Sequence, residues 1–352
     1  MKLVVEIQNG CILLGSVFYE NHIISHPTCA LYDNSDYLDI LRNLISEIKT
    51  LTNIDIWYWN NYHEIIEMSY FKKIGVLDLL IDELGDSVIV VDNNLGPKNH
   101  PFYKKIRTES APYFLGMTYP TQLKINADKE ITKKFLCMNL HEKPHRTEMY
   151  KLFDSNNLFD DSFFSYMHYD PTFEFHKRLP SEVDFELEIP RSELPCFQPQ
   201  YKPINEHENS FCSVVTETLF YENTCRDLLE DAMFITEKTE KCFSAGHPFV
   251  MLGRPNFLKK LKELGFKTFD KWWDESYDSI EDDDTRMESI KNTILSISKM
   301  SYDEIRDMYL EMLPTLHHNQ NLNEKFYYLN RKRCNIQFFD NECTIEPLYV
   351  EL

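Results

Sequence analysis

Apolar positions recur along the chain in two rhythms. From Tyr37 to Leu51 the residues Leu38, Leu41, Leu44, Ile45, Ile48 and Leu51 fall on one helical face, with a period near 3.6. Shorter apolar runs at Leu3–Ile7, Cys11–Tyr19, Ile54–Trp59 and Ser87–Val91 read as strands, and Asn9-Gly10 reads as a hairpin-type turn between the first two. Val76–Leu84 reads as a helix stopped by Gly85. The order strand, helix, strand, helix, strand predicts a first α/β domain with a small parallel sheet over residues 1–127.

The pattern then restarts. Phe135–Asn139 reads as a strand, Leu140–Pro144 as a loop, His145–Phe153 as a helix and Ser162–Met167 as a strand. Residues 170–204 hold six of the sixteen prolines and read as a long surface excursion. Phe211–Val215 is a further apolar strand, followed by Thr216-Glu217-Thr218. The stretch that organises this half is Met233–Gly253, MFITEKTEKCFSAGHPFVMLG. It predicts a strand at Met233–Ile235, an N-cap at Thr236 and a first-turn carboxylate at Glu237. Gly246 suits the helix stop, and Phe249–Leu252 the next strand. Such a βαβ unit implies a parallel sheet with its ligand at the carboxyl ends of the strands, where Glu237 and Lys238 sit. Pro255–Leu264 reads as a helix with Pro at its first position and Gly265 as its stop, and Lys267–Phe269 as a short strand. Asp282–Lys299, Ser301–Leu313 and Glu324–Lys332 read as helices. The expected divisions are a second α/β domain over 128–300 and C-terminal helices over 301–352 that pack back on the first domain.

Composition narrows the classes. The chain has 352 residues and a formal net charge of −20, which argues against general nucleic-acid binding and against an anionic membrane surface. Nine scattered cysteines without a C-x-x-C pair suit reduced thiols in a cytoplasmic compartment. No run reaches the roughly 18 apolar residues of a membrane span. Glu281-Asp-Asp-Asp284 is spaced for a metal-binding D-x-D motif but reads as a solvated helix cap, and His317-His318 lacks a partner at ligand spacing, so no metal is expected. Trp57, Trp59, Trp272 and Trp273 read as packing residues. There is no G-x-G-x-x-G, P-loop or G-x-S-x-G motif.

Two successive α/β domains facing across a cleft are the architecture of GT-B glycosyltransferases, and also of other two-lobed enzymes. The residues add to this. Asp231-Ala-Met-Phe-Ile-Thr-Glu-Lys-Thr239, followed by Ser244-Ala-Gly-His-Pro-Phe-Val-Met-Leu-Gly253, resembles the signature of the α-1,3-fucosyltransferases. Ser213-Val-Val-Thr-Glu217 is similar to that family's strand ending in a Glu-Asn pair. Phe135–Asn139 with His145-Arg146 is similar to the first strand and helix of its nucleotide-sugar domain, where an arginine contacts the donor diphosphate. Phe266–Arg286, with Asp274-Glu-Ser-Tyr-Asp278, resembles fucosyltransferase-like proteins of large phages and giant viruses. The chain departs from the family at Thr218, where the family has Asn, and in a longer gap between Glu217 and Glu237. Tyr221-Glu222-Asn223 is the other counterpart of the Glu-Asn pair; Glu217 is preferred because it follows an apolar strand directly.

The resemblance implies a GT-B-like fold of two Rossmann-like domains and an inverting, metal-independent glycosyltransferase. Its donor would be a nucleotide-diphosphate sugar, GDP-linked in the family, and no cofactor is implied. The donor-side residues would be Asn139, Arg146, Glu217, Glu237, Lys238 and Gly246. Arg146 and Lys238 suit the charge that develops on the leaving diphosphate, and the carboxylates suit sugar or ribose hydroxyls. Inversion also needs a carboxylate base on the acceptor side, and Asp92, at the end of strand 87–91, is the candidate. The acceptor is a glycan, a protein or a modified base. Two other readings stand beside this one: a glycosyltransferase acting on hydroxymethylated DNA, and a non-catalytic α/β binding protein. Each residue also has a plainer reading. Glu237 and Lys238 would then be an ordinary capped helix start, Arg146 a surface ion-pair residue and His145 a helix-start residue.

Overall fold

The computed structural model describes residues 2–7, 11–13, 17–19, 22–24, 29–31, 37–51, 56–61, 75–92, 104–110, 115, 125–139, 142–166, 205–221, 233 and 235–334. They form two compact units. The first takes its described residues mainly from Met1–Tyr113, and the second from Phe114–Thr224 and Ile235–Cys334. Both are α/β, each with a four-stranded parallel sheet. Among the described residues no helix is long and apolar enough to cross a membrane.

In the first unit the sheet strands are β1 (Lys2–Ile7), β6 (Ile56–Asn61), β7 (Val88–Asp92) and β8 (Arg107–Ser110), side by side in that order. Helix α1 (Tyr37–Leu51) crosses from β1 to β6, and α2 (Val76–Leu84) from β6 to β7. Leu41 and Ile45 of α1 are buried, as are Val76, Leu77, Leu79, Leu80 and Leu84 of α2, so the apolar stripes face inward. Arg42 and Lys49 reach Glu83 at 3.6 and 3.3 Å, which places the two helices alongside each other. The expected single strand Cys11–Tyr19 is two strands, β2 (Cys11–Leu13) and β3 (Val17–Tyr19). They pair antiparallel with β5 (Cys29–Leu31) and β4 (His22–Ile24) respectively, and β1 pairs in parallel with β6. The Asn9-Gly10 turn lies outside the described residues.

In the second unit β9 (Lys133–Asn139), β10 (Ser162–Tyr166), β11 (Ser210–Thr216) and β12 (Phe249–Leu252) lie in the spatial order β10-β9-β11-β12. The chain therefore winds outward from β9 in one direction to β10, and from β11 in the other to β12. Every residue of β11 is buried, as expected of a central parallel strand covered on both faces. Helix α3 (Pro144–Ser155) joins β9 to β10, the short α4 (Asn205–Asn209) leads into β11, and α5 (Glu237–Ser244) crosses from β11 to β12. Then follow α6 (Phe257–Glu263), α7 (Asp283–Ser298) and α8 (Tyr302–Cys334). Aromatic rings fill the space beneath α3, where Phe153 lies 5.7 Å from Phe135 and 4.9 Å from Phe164.

Several expectations are corrected here. Met233 and Ile235 are buried but form no strand; the parallel neighbour of β12 is β11, with Thr216 opposite Leu252. Lys267–Phe269 is not a strand either. The backbone N–H and C=O of Lys267 are both taken by the Asn319 side-chain amide, at 2.8 Å each, and the Phe269 N–H by Glu275, so no ladder is needed. Helix α6 begins at Phe257 and not at Pro255. Asn256, in the left-handed region, precedes it, and Asp278 accepts from the Leu258 and Lys259 amides at 2.7 and 2.9 Å. Ser301–Leu313 and Glu324–Lys332 belong to one helix, α8, which continues through Pro314. Pro314, which cannot donate to the preceding turn, is exposed. Residues 170–204 lie outside the described residues.

Helix α5 ends as its sequence suggests. Gly246 has φ +57°, its N–H donates to Phe243 O at 3.1 Å, and His247 N–H donates to Cys242 O at 2.8 Å. A Cβ at Gly246 would lie 2.2 Å from Cγ1 of Ile125. Gly246→Ala should therefore cost about 2–4 kcal/mol from left-handed strain plus overpacking, read by urea unfolding. The additional substitution Ile125→Ala should recover part of that loss. A cost that Ile125→Ala leaves unchanged would show that the contact plays no part.

Candidate functional site

Because β9 and β11 are neighbours whose connections leave in opposite directions, their carboxyl ends form a topological switch point, the place where α/β sheets hold ligands. Two helices, α3 and α5, open at this end and point their N-terminal amides toward it. Pro144 starts α3, at a position whose N–H would have no helical partner. Thr236 caps α5, its hydroxyl accepting from Lys238 N–H at 3.3 Å.

The loop leaving β11 is held by basic side chains. Arg146 donates to the carbonyl of Thr216 at 3.4 Å, His145 Nε2 to that of Glu217 at 2.9 Å and Lys143 to that of Thr218 at 3.0 Å. Arg286, from the first turn of α7, donates to Phe220 O at 2.9 Å and stacks its guanidinium 4.5 Å from the Phe220 ring. Asn139, the last residue of β9, accepts from the Thr216 hydroxyl at 2.6 Å and so ties the two central strands together at their ends.

Glu217 is the hub of this end. Its carboxylate accepts from Thr236 N–H at 3.3 Å, the Thr236 hydroxyl at 2.6 Å, Thr218 N–H at 3.2 Å and the Thr239 hydroxyl. Four donors use the acceptor capacity of both oxygens. The Thr236 hydroxyl donates to Glu217 and accepts from Lys238, so strand end and helix start form one unit. Glu217 thus positions α5 and has no lone pair left over for a sugar hydroxyl.

Glu237 and Lys238 form a half-buried ion pair at 2.7 Å. Burial alone would raise the Glu237 pKa, but the adjacent Lys238 charge and hydrogen bond, with Lys241 beyond, outweigh it, and the group sits below the usual carboxylate range. Glu237 is therefore ionised at neutral pH. Arg146 and Lys238, 92 positions apart in sequence, are brought together: one is bonded to Thr216, and the other is joined through Thr236 to Glu217. Gly246 is not part of this group, because it closes the far end of α5. Asp92 ends β7 of the first unit.

His145 is fixed as a neutral ring. A carbonyl can only accept, so Nε2 carries the proton and Nδ1 is a bare lone pair, buried and without a hydrogen-bond partner. Burial, with Arg146, Lys143 and Lys238 nearby, pushes its pKa down to about 3 from 6.5. The unfolded chain would take up that proton first. The stability held above pH 6.5 is therefore lost progressively as pH falls toward about 3. His145→Gln keeps an N–H for Glu217 but cannot ionise. It should flatten stability against pH in this window by up to about 1.4 kcal/mol per pH unit, measured by urea unfolding across a pH series. An unchanged slope would mean that His145 is already charged in the folded chain.

Other sequence candidates take structural places. Asp282 caps α7 through Thr285, and Asp283 pairs with Arg286. Trp273 packs on Phe211 and Phe269, while Trp272 donates to Glu311. His318 donates to Gly265 O. Among the described residues no group of three or more His, Cys, Asp or Glu is placed to hold a metal ion. The residues missed by sequence reasoning are Lys143 and Arg286. Only Lys143, one position before a helix-starting Pro, carried a local signal. No family model, curated protein or solved structure matches the chain.

Proposed function

We propose that the chain is an inverting, metal-independent glycosyltransferase of GT-B-like, fucosyltransferase-like type, using a nucleotide-diphosphate sugar. One observation carries this reading: two helix N-termini, Lys143, Arg146 and Lys238 converge at the switch point of a parallel sheet. Such an end is rich in N–H donors and positive charge, the chemistry a diphosphate leaving group requires. In the proposed reaction an acceptor hydroxyl attacks the anomeric carbon from the face opposite the diphosphate. The carbon–oxygen bond to the β-phosphate breaks, and its electron pair leaves on the phosphate oxygen. The hydroxyl proton passes to a carboxylate base on the acceptor side. Lys238 and Arg146 offset the charge on the departing oxygen, and Glu237 accepts from a sugar hydroxyl. GDP or UDP at about 100 times its Kd should stabilise the fold by ~2.7 kcal/mol, seen as a raised Tm. Sugar transfer or donor hydrolysis should persist in a chelator. No response to any nucleoside diphosphate, or activity lost on chelation and restored by manganese or magnesium, would contradict the reading.

A further inference from the structure

Gly253 and Arg254 follow β12 directly, at its carboxyl end. This end is level with the loop that carries Glu217, because Glu217 N–H donates to Leu252 O at 3.0 Å. Helix α5 opens beside Glu217 through Thr236 and Thr239, so Arg254 and Lys238 flank the same strand ends. The turn itself is built. A Cβ at Gly253 would lie 3.1 Å from the Phe257 ring, so a bare backbone lets the first residue of α6 close onto the strand exit. Asp278 secures that helix start, and Arg254 joins it only through its backbone carbonyl, which accepts from Phe257 N–H at 3.2 Å, so its side chain takes no part in the capping.

The state of the Arg254 side chain sets it apart. It is half-buried, and among the described residues its guanidinium makes no hydrogen bond, ion pair or ring contact. By contrast, Lys238 is engaged by Glu237. The chain carries 57 acidic against 37 basic residues, so carboxylate partners are plentiful. Partly desolvating a guanidinium with none of them is unfavourable unless an anion arrives from outside. A planar fork of N–H donors suits two phosphate oxygens better than an ammonium does.

We propose that Arg254 is a ligand-binding residue that grips the diphosphate of a nucleoside diphosphate or nucleotide sugar across the ends of β11 and β12. This rests on the donor-site reading above and extends it to the edge strand. The test is isothermal titration of GDP, UDP and the matching nucleosides into the wild-type chain, Arg254→Gln and Arg254→Lys, with melting curves of each. For the diphosphate that binds, Arg254→Gln should lose about tenfold or more in affinity and Arg254→Lys less, at nearly unchanged melting temperature. Nucleoside binding should not change. Diphosphate affinity within about twofold of wild type in Arg254→Gln, or an equal loss for the nucleoside, overturns the proposal. A wild-type chain that binds no nucleoside diphosphate instead removes the donor-site reading, and this assignment with it.

Discussion

Glu217→Ala is expected to destabilise the second unit by about 3–5 kcal/mol, the upper range for a single substitution, and to lower its melting temperature by roughly 10 °C. The substitution leaves Thr236 N–H, Thr218 N–H and the Thr236 and Thr239 hydroxyls without their acceptor. Thr236, Thr239 and Glu217 are buried, so water does not replace the carboxylate at full value. Each lost hydrogen bond to a charged group costs about 1.5–3 kcal/mol, less what relaxation recovers. Glu217→Gln should fall between, because an amide keeps one acceptor oxygen but turns an NH2 group toward existing donors. Differential scanning calorimetry reads both. A Glu217→Ala protein melting within a degree or two of wild type would show that α5 is held in place by other contacts.

Glu237→Ala should have the opposite profile. Transfer, or donor hydrolysis, should fall by at least about tenfold while the melting temperature moves only a few degrees. Thr236 and not Glu237 caps α5, so helix initiation survives. The lost first-turn carboxylate and half-buried ion pair should cost about 1 kcal/mol. On the proposed reading, however, Glu237 would also bond a donor sugar hydroxyl, and an ionised carboxylate in such a desolvated bond is worth about 1.5–3 kcal/mol, and more if the bond tightens in the transition state. Donor affinity and turnover measured beside a melting curve separate the two effects. Full activity would make Glu237 a helix-start residue only, and a collapsed melting transition would make it a structural one.

Local features were legible because their causes are local. The apolar stripe of Tyr37–Leu51, the Gly85 stop after Val76–Leu84, the Thr236 cap and the left-handed Gly246 each follow from a few neighbouring residues. What sequence could not supply was pairing over distance. Met233–Ile235 has strand composition, yet the place beside β12 is filled by β11. Lys267–Phe269 reads as a strand, but its hydrogen bonds go to Asn319, 52 positions away, and to Glu275. Ser301–Leu313 reads as a complete helix, yet α8 continues through the exposed Pro314.

The site divides in the same way. Glu237 and Lys238 were visible from the capped helix start, and Arg146 from the strand-to-helix turn before it. Glu217 was visible as a residue but not as a hub, because its donors come from Thr236 and Thr239 across a long loop. Arg286 carries no local signal: its bond to Phe220 O spans 66 positions. Gly246 was grouped with the donor residues through its motif, and the fold places it at the opposite end of α5.

The most direct test is a crystal structure of the chain with GDP or UDP bound. The diphosphate should lie at the carboxyl ends of β9 and β11, within hydrogen-bonding reach of Arg146, Lys238 and the first amides of α3 or α5. A nucleotide bound at the amino ends of these strands, or on the first unit alone with those groups untouched, would contradict the account.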